Sequence, residues 1–160
     1  FIGDHLFTSK VLAYEESIRV PLFISGPGIE PAENHELVLN IDIMPTLLEL
    51  ADIEIPDNLH GESLVSLLEN KENPDWRDRY YYEAPEPQLG SWPLYAVRSH
   101  HYKYIRTYDV NNRDSVVFEE LYDLENDPYE LTNVIDDPDF QEIAEELSGD
   151  LDSLQKKFVD

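Results

Sequence analysis

Five basic side chains crowd one short stretch, Arg98, His100, His101, Lys103 and Arg106, in a chain that has only 11 Lys and Arg and 5 His. Local cations of this kind are what an anionic sugar needs, however acidic the surrounding surface is. Trp92 and Tyr95, just upstream, offer aromatic faces on which a sugar ring can stack. The same residues allow a second reading, in which the cations pair with nearby carboxylates and the aromatics fill a sheet core. His100-His101 does not read as a metal pair, since no further ligand cluster accompanies it. Nearer the N-terminus, Lys10 is followed by Tyr14-Glu15-Glu16-Ser17-Ile18-Arg19. The carboxylate pair beside an arginine reads as scaffolding, with charge-assisted hydrogen bonds fixing the loop that carries Lys10. As sequence neighbours the two carboxylates point apart, which weighs against shared acid–base work. The acidic stretch 123–133 lacks the alternating ligands and central glycine of a calcium loop. It reads as a turn built on Asx-type hydrogen bonds.

Composition narrows the classes. The chain has 160 residues, a hydrophobic content of 41% and six glycines, which suits a folded domain rather than a collagen-like or low-complexity segment. Thirty-five Asp and Glu leave a formal net charge of −24. Such a surface repels phosphate backbones and anionic lipid, so no nucleic-acid partner is expected. It is also the kind of surface that salt-adapted proteins carry, because screening relieves its self-repulsion. No apolar run is long enough to span a bilayer, so no membrane span is expected. Without cysteine there is no disulfide and no thiol nucleophile, and the compartment stays open between periplasm or secretion and a halophile cytoplasm. The opening Phe1-Ile2-Gly3-Asp4-His5 has neither an initiator Met nor a signal segment and reads as a piece of something longer.

The elements that must position these residues follow from pattern. Residues 19–24 form an apolar run closed by Ser25-Gly26-Pro27-Gly28 and read as a buried strand ending in a turn. Residues 37–41 read as extended. Asp42 can cap a helix over 43–51, with Pro45 tolerated in its first turn and Leu47, Leu48, Leu50 and Ala51 as its apolar face. A short helix is expected over 63–68, after the His60-Gly61 turn. A polar connector at 70–78 marks a boundary. Beyond it, 79–84, 94–99, 102–108 and 119–124 are aromatic and β-branched runs that suit strands, the middle two forming a hairpin through 99–101. Apolar residues from Phe140 to Phe158 recur at helical spacing over 139–158.

Several of these segments, in order, resemble the sulfatases. Gly3-Asp4-His5, Lys10 and Tyr14-Glu15-Glu16-Ser17-x-Arg19-Val20-Pro21 resemble the segment after that family's second metal-ligand motif. Asp42-Ile43-x-Pro45-Thr46 resembles its Asp-x-x-Pro-Thr helix, and His60-Gly61-x-Ser63-Leu64 its Gly-x-Ser-Leu turn. Val97-Arg98-Ser99-x-x-Tyr102-Lys103-Tyr104-Ile105 and Leu121-Tyr122-Asp123-Leu124-x-x-Asp127-Pro128-x-Glu130-x-x-Asn133 are similar to its C-terminal subdomain. The resemblance implies an α/β fold. Residues 1–70 would be the C-terminal part of an alkaline-phosphatase-like sulfatase domain, and 71–160 a small antiparallel β-sheet subdomain packed by a long C-terminal helix.

The resemblance further implies sulfate-ester hydrolysis, on a sulfated small molecule or glycan. It places Lys10 at the sulfate-binding lysine, a catalytic role, against the bland reading of an ordinary solvated lysine. His5, Trp92, Arg98 and His100 are the candidate substrate-binding residues, with His5 read equally as loop packing and Asp4 left structural. The nucleophile, a formylglycine made from a Cys/Ser-x-Pro-x-Arg motif, and the ligands of a Ca2+ ion belong to family segments upstream of Gly3. This chain therefore has no metal ligand of its own, is expected to be inactive alone, and has the missing N-terminal half of the same protein as its partner. A phosphodiester or phosphonate hydrolase on the same scaffold, and a non-catalytic carbohydrate-binding module, stay open as alternatives.

Overall fold

In the computed structural model, residues 12–71, 73–87 and 91–159 are described. They divide into two compact units, one of residues 22–78 and one that joins residues 12–21 to 79–159.

The second of these is built on strand periodicity. Strands β1 (Arg79–Ala84), β2 (Leu94–Ser99), β3 (Tyr102–Tyr108) and β4 (Val116–Asp123) form an antiparallel meander in the order β1-β2-β3-β4. Because side chains alternate across a strand, the register Tyr82↔Ala96↔Ile105 lies on one face and Tyr81↔Val97↔Tyr104↔Leu121 on the other. The hairpin between β2 and β3 is closed by Ser99, whose hydroxyl accepts from the Tyr102 amide at 3.1 Å.

Each face acquires its own cover. Helix α4 (Gln141–Val159) lays Leu147 and Leu151, four residues apart and so on one stripe, against Val97, Tyr104 and Leu121. A 3-10 turn, Pro138–Phe140, starts it, with Asp137 accepting from the Asp139 amide. Glu142 in its first turn and Lys156 and Lys157 in its last complement the helix dipole. Arg79 pairs with Asp150 and with Glu146, and Arg106 with Asp152 at 2.6 Å. The opposite face is covered by the segment that leads into α1 (Glu15–Ile18): Ala13 is fully buried in a cluster with Leu94, Ala96, Ile105 and Tyr122. No described helix is long and apolar enough to cross a membrane.

The unit 22–78 is organised by one carboxylate. Asp42 ends a 3-10 turn (Asn40–Asp42) that runs into α2 (Ile43–Leu50). Its side chain, fully buried, does not cap α2 as the sequence suggests. It turns back to accept the Leu39 amide at 2.7 Å and the Glu62 amide at 2.9 Å, and Arg77 donates to both its oxygens at 2.5 and 2.7 Å. Thr46 relays the same corner. Its hydroxyl donates to the Asp42 carbonyl and accepts the Leu64 amide, just before α3 (Val65–Leu68). Gly61 is required here because a Cβ would overlap the Ile41 carbonyl.

Two segments differ from what their pattern suggests. Residues 19–24 form no strand: Val20 is 62% and Phe23 91% exposed. A strand needs a neighbour for its amides and carbonyls, and all four strands among the described residues pair only with one another. On α2, Pro45 and Thr46 are buried while Leu47 and Leu50, on the expected apolar face, are exposed, as are Ile43 and Met44 and, beyond the helix, Ile53. Polar bonding at Asp42 fixed the orientation of the helix.

Removing Arg77 leaves Asp42 charged and buried. Arg77→Ala is expected to destabilise the unit by about 3–5 kcal/mol, read as a lowered denaturant midpoint, whereas Lys71→Ala, at an exposed pair with Glu69, changes it by less than about 1 kcal/mol.

Candidate functional site

Strand alternation decides what becomes of the basic stretch. Arg98 and Lys103 are cross-strand partners and share the face covered by residues 12–18. Arg106, an odd number of positions from Lys103, lies on the helix-covered face. It donates there to Asp152 and to the Ser148 hydroxyl, and its guanidinium packs on the Tyr104 ring. The expected patch is therefore split between two faces, and Arg98, Lys103 and Arg106 are all engaged in ion pairs within the unit. Tyr95 is likewise core: it stacks on Tyr81 at 6.2 Å and meets Tyr108 edge-on at 5.5 Å.

The residues expected to bind substrate divide further. Trp92, 43% exposed between the buried Ser91 and Pro93, precedes β2. His100 is exposed in the hairpin at its other end. Eight residues of extended chain place them roughly 25 Å apart, so one sugar ring cannot touch both. Arg98 is near His100, where its guanidinium donates to the Ser99 carbonyl at 2.9 Å and to Glu15 at 3.4 Å. Lys10 and His5 lie outside the described residues.

The densest electrostatic feature follows the second reading of the basic stretch, cations paired with carboxylates, through partners that the sequence did not name. Lys103 has no side-chain exposure, and its ammonium stands 2.7 Å from carboxylate oxygens of both Glu15 and Glu130. Glu130 is itself 1% exposed, and its second oxygen accepts the Glu15 backbone amide at 2.6 Å. Its φ of 55° is left-handed, a conformation costing a residue with a Cβ about 1–2 kcal/mol. A turn holds it there: the Glu130 amide donates to the Asp127 carbonyl, Asp127 accepts the Thr132 amide, and Asp123 accepts the Glu125 and Asn126 amides. Beside this cluster, the Tyr14 and Tyr122 hydroxyls donate to one oxygen of Glu120 at 2.5 and 2.7 Å. Glu15 thus finds its cations on the sheet, at Lys103 and Arg98, while Arg19 is exposed. The signal for this was present in Lys103, which shares a strand face with the apolar Ile105.

One ammonium between two carboxylates splits their titration. Burial pushes Glu15 upward, but the adjacent Lys103 and then Arg98 outweigh it and hold the carboxyl below its ordinary value. For the more deeply buried Glu130, burial dominates Lys103 and the carboxyl is raised. Among the described residues no group of three or more His, Asp and Glu is placed to hold a metal ion. On acidification Glu130 should take its proton before Glu15, read from carboxyl carbon chemical shifts. The stability Glu15 contributes is present above its unfolded pKa and is lost as pH falls through its depressed folded value. The cost of ionising Glu130 appears as pH rises through its raised one.

Comparison with known proteins places this architecture. The family described as N-sulphoglucosamine sulphohydrolase, C-terminal, matches residues 3–157. The chain is 33% identical over 167 residues to an N-acetylglucosamine-6-O-sulfatase of Bacteroides thetaiotaomicron, covering 100% of this chain and 29% of that protein. Among solved structures, BT4656 in complex with its substrate D-glucosamine-2-N,6-O-disulfate superposes with a TM-score of 0.65 at 32% identity, over 74% of this chain and 24% of that one. The phosphonate monoester hydrolase of Agrobacterium radiobacter gives 0.56 at 29% identity, over 72% and 24%. The chain thus spans less than a third of the length of each. The antiparallel sheet with its long helix and the family match agree, and the chain belongs to the sulfatase family of N-sulphoglucosamine sulphohydrolase C-terminal regions.

Proposed function

We propose that this chain forms the C-terminal part of an enzyme that hydrolyses sulfate esters, with a sulfated sugar as substrate. In this reading Lys10 binds the sulfuryl oxygens, and the chain supplies one wall of the pocket. The observation that carries it is the family match over residues 3–157, and the anchoring of Glu15, five residues after Lys10, by Lys103, Glu130 and Arg98 supports the part given to Lys10. A fixed ammonium offsets charge growing on sulfuryl oxygens without reorganising during the reaction, provided the loop bearing it is itself fixed. Relatives that act on glucosamine sulfates support the choice of substrate class.

The formylglycine hydrate and the Ca2+ ion of such an enzyme would supply nucleophile and charge neutralisation from residues outside this chain. The rest of the α/β domain would also cover the apolar surface that unit 22–78 exposes at Phe23, Ile43, Met44, Leu47 and Leu50. Domain limits at 1–70 and 71–160 belong to this proposal.

Arg98 and His100 at the hairpin end of β2, together with His5, would face the organic part of the substrate. Trp92 would serve a more distant sugar unit, given the length of the strand between them. A second reading, hydrolysis of phosphonate esters, draws on the Agrobacterium relative, and matched sulfate and phosphonate monoesters assayed on the longer protein separate the two.

In that longer protein, Lys10→Ala is expected to lower kcat by about 10²–10³-fold with the fold intact, and turnover near the parental value would overturn the assignment. His100→Ala should reduce activity on a sulfated glycan more than on a small aryl sulfate, and Trp92→Ala only on an oligosaccharide, while Arg98→Ala, which also loosens Glu15, should lower both, the glycan more. Equal losses on every substrate would argue against recognition by this end of the sheet.

A further inference from the structure

We propose that Lys103 and Glu130 are positioning residues, which hold the segment 14–18 in one register on the sheet and so give Lys10, five residues before Glu15, a fixed anchor. The inference rests on the reading of Lys10 given above. Neither residue is needed merely to close the sheet face, since a buried ion pair can be replaced by apolar side chains of similar volume with little or no loss of stability. What apolar side chains cannot supply is direction.

Glu130 offers an acceptor to the Glu15 backbone amide at 2.6 Å, and Lys103 holds the Glu15 carboxylate at 2.7 Å while neutralising Glu130 at the same distance. Glu120 fixes the neighbouring Tyr14 through its hydroxyl at 2.5 Å. Two consecutive residues are thereby held at three points, one on the backbone and two on side chains. A slip by one residue would carry the Glu15 carboxylate off Lys103 and the Tyr14 hydroxyl off Glu120, while Lys103 and Glu130 would keep each other. The left-handed backbone at Glu130 fits this role, because it is a strained conformation kept where it aims a carboxylate at an amide.

The test uses the longer protein carrying its N-terminal portion. In Lys103→Met/Glu130→Met the apolar pair keeps the sheet closed but removes both bonds to Glu15. The expected result is faster amide hydrogen exchange at residues 14–18 with exchange across β2 and β3 unchanged, and kcat lower by about 10–100-fold with little change in KM. Leu151→Ala, which opens a cavity under α4 on the other face, should lower the melting temperature while leaving kcat and exchange at 14–18 as in the parent. If the double variant does not fold, Glu130→Gln is read by the same two measurements, with smaller effects in the same direction. Parental exchange at 14–18 overturns the clamp. Faster exchange with parental kcat overturns the positioning role. A parental kcat in Lys10→Ala overturns instead the reading on which the role rests, and exchange at 14–18 still judges the clamp by itself.

Discussion

An ammonium removed from water must be matched where it stands. Lys103 has no exposed side-chain surface, and the desolvation of such an ion costs several kcal/mol unless opposite charge and hydrogen bonds replace the lost hydration. Much of the unit formed by 12–21 and 79–159 follows from that requirement. Glu130 must enter the interior, the turn from Asp123 to Thr132 must hold it in a left-handed conformation, and Glu15 must return from over 80 residues earlier in the chain to share the cation. Hydrophobic burial alone would close the same face with Ala13, Leu94, Ala96, Ile105 and Tyr122. It would not select a register.

The two faces of the sheet divide the work. The helix-covered face is a hydrophobic contact rimmed by ion pairs from Arg79 and Arg106 to the acidic flank of α4. The Arg79 pairs are partly solvated and contribute modestly, whereas Arg106 is buried and donates to Asp152 and Ser148 from the edge of the core. On the opposite face the charges are inside, two carboxylates and a cation within a few ångströms, where the low dielectric makes every mismatch expensive. The unit 22–78 repeats the principle on a smaller scale, with Asp42 fully buried and satisfied by two amides and the Arg77 fork.

Local pattern was enough for the strands and for α4. Their aromatic and β-branched runs and the helical repeat through Leu147, Leu151 and Leu154 are properties of short windows, and the element limits lie within a few residues of expectation. Where polar groups set the orientation, the windows misled. The helix Ile43–Leu50 directs Asp42 and Thr46 toward Arg77 and Leu64 and leaves Leu47 and Leu50 without cover from this chain, which no window of local sequence describes. The run at 19–24 has the composition of a buried strand, but its pairing depends on neighbours that local sequence does not describe. Grouping Arg98, Lys103 and Arg106 as one patch ignored the period of two that sends Lys103 and Arg106 to opposite faces. The partners of Lys103 are 88 and 27 positions away, at Glu15 and Glu130, a separation at which no window carries the pairing.

As proposed above, a segment held on the sheet would present Lys10 to an anionic ester. A crystal structure of the longer protein with a sulfated sugar bound tests it most directly. The expected result is the Lys10 Nζ within about 2.7–3.2 Å of a sulfate oxygen, with Lys103 still seated between Glu15 and Glu130. A bound sulfate with Lys10 directed into solvent, away from the ester, would contradict it.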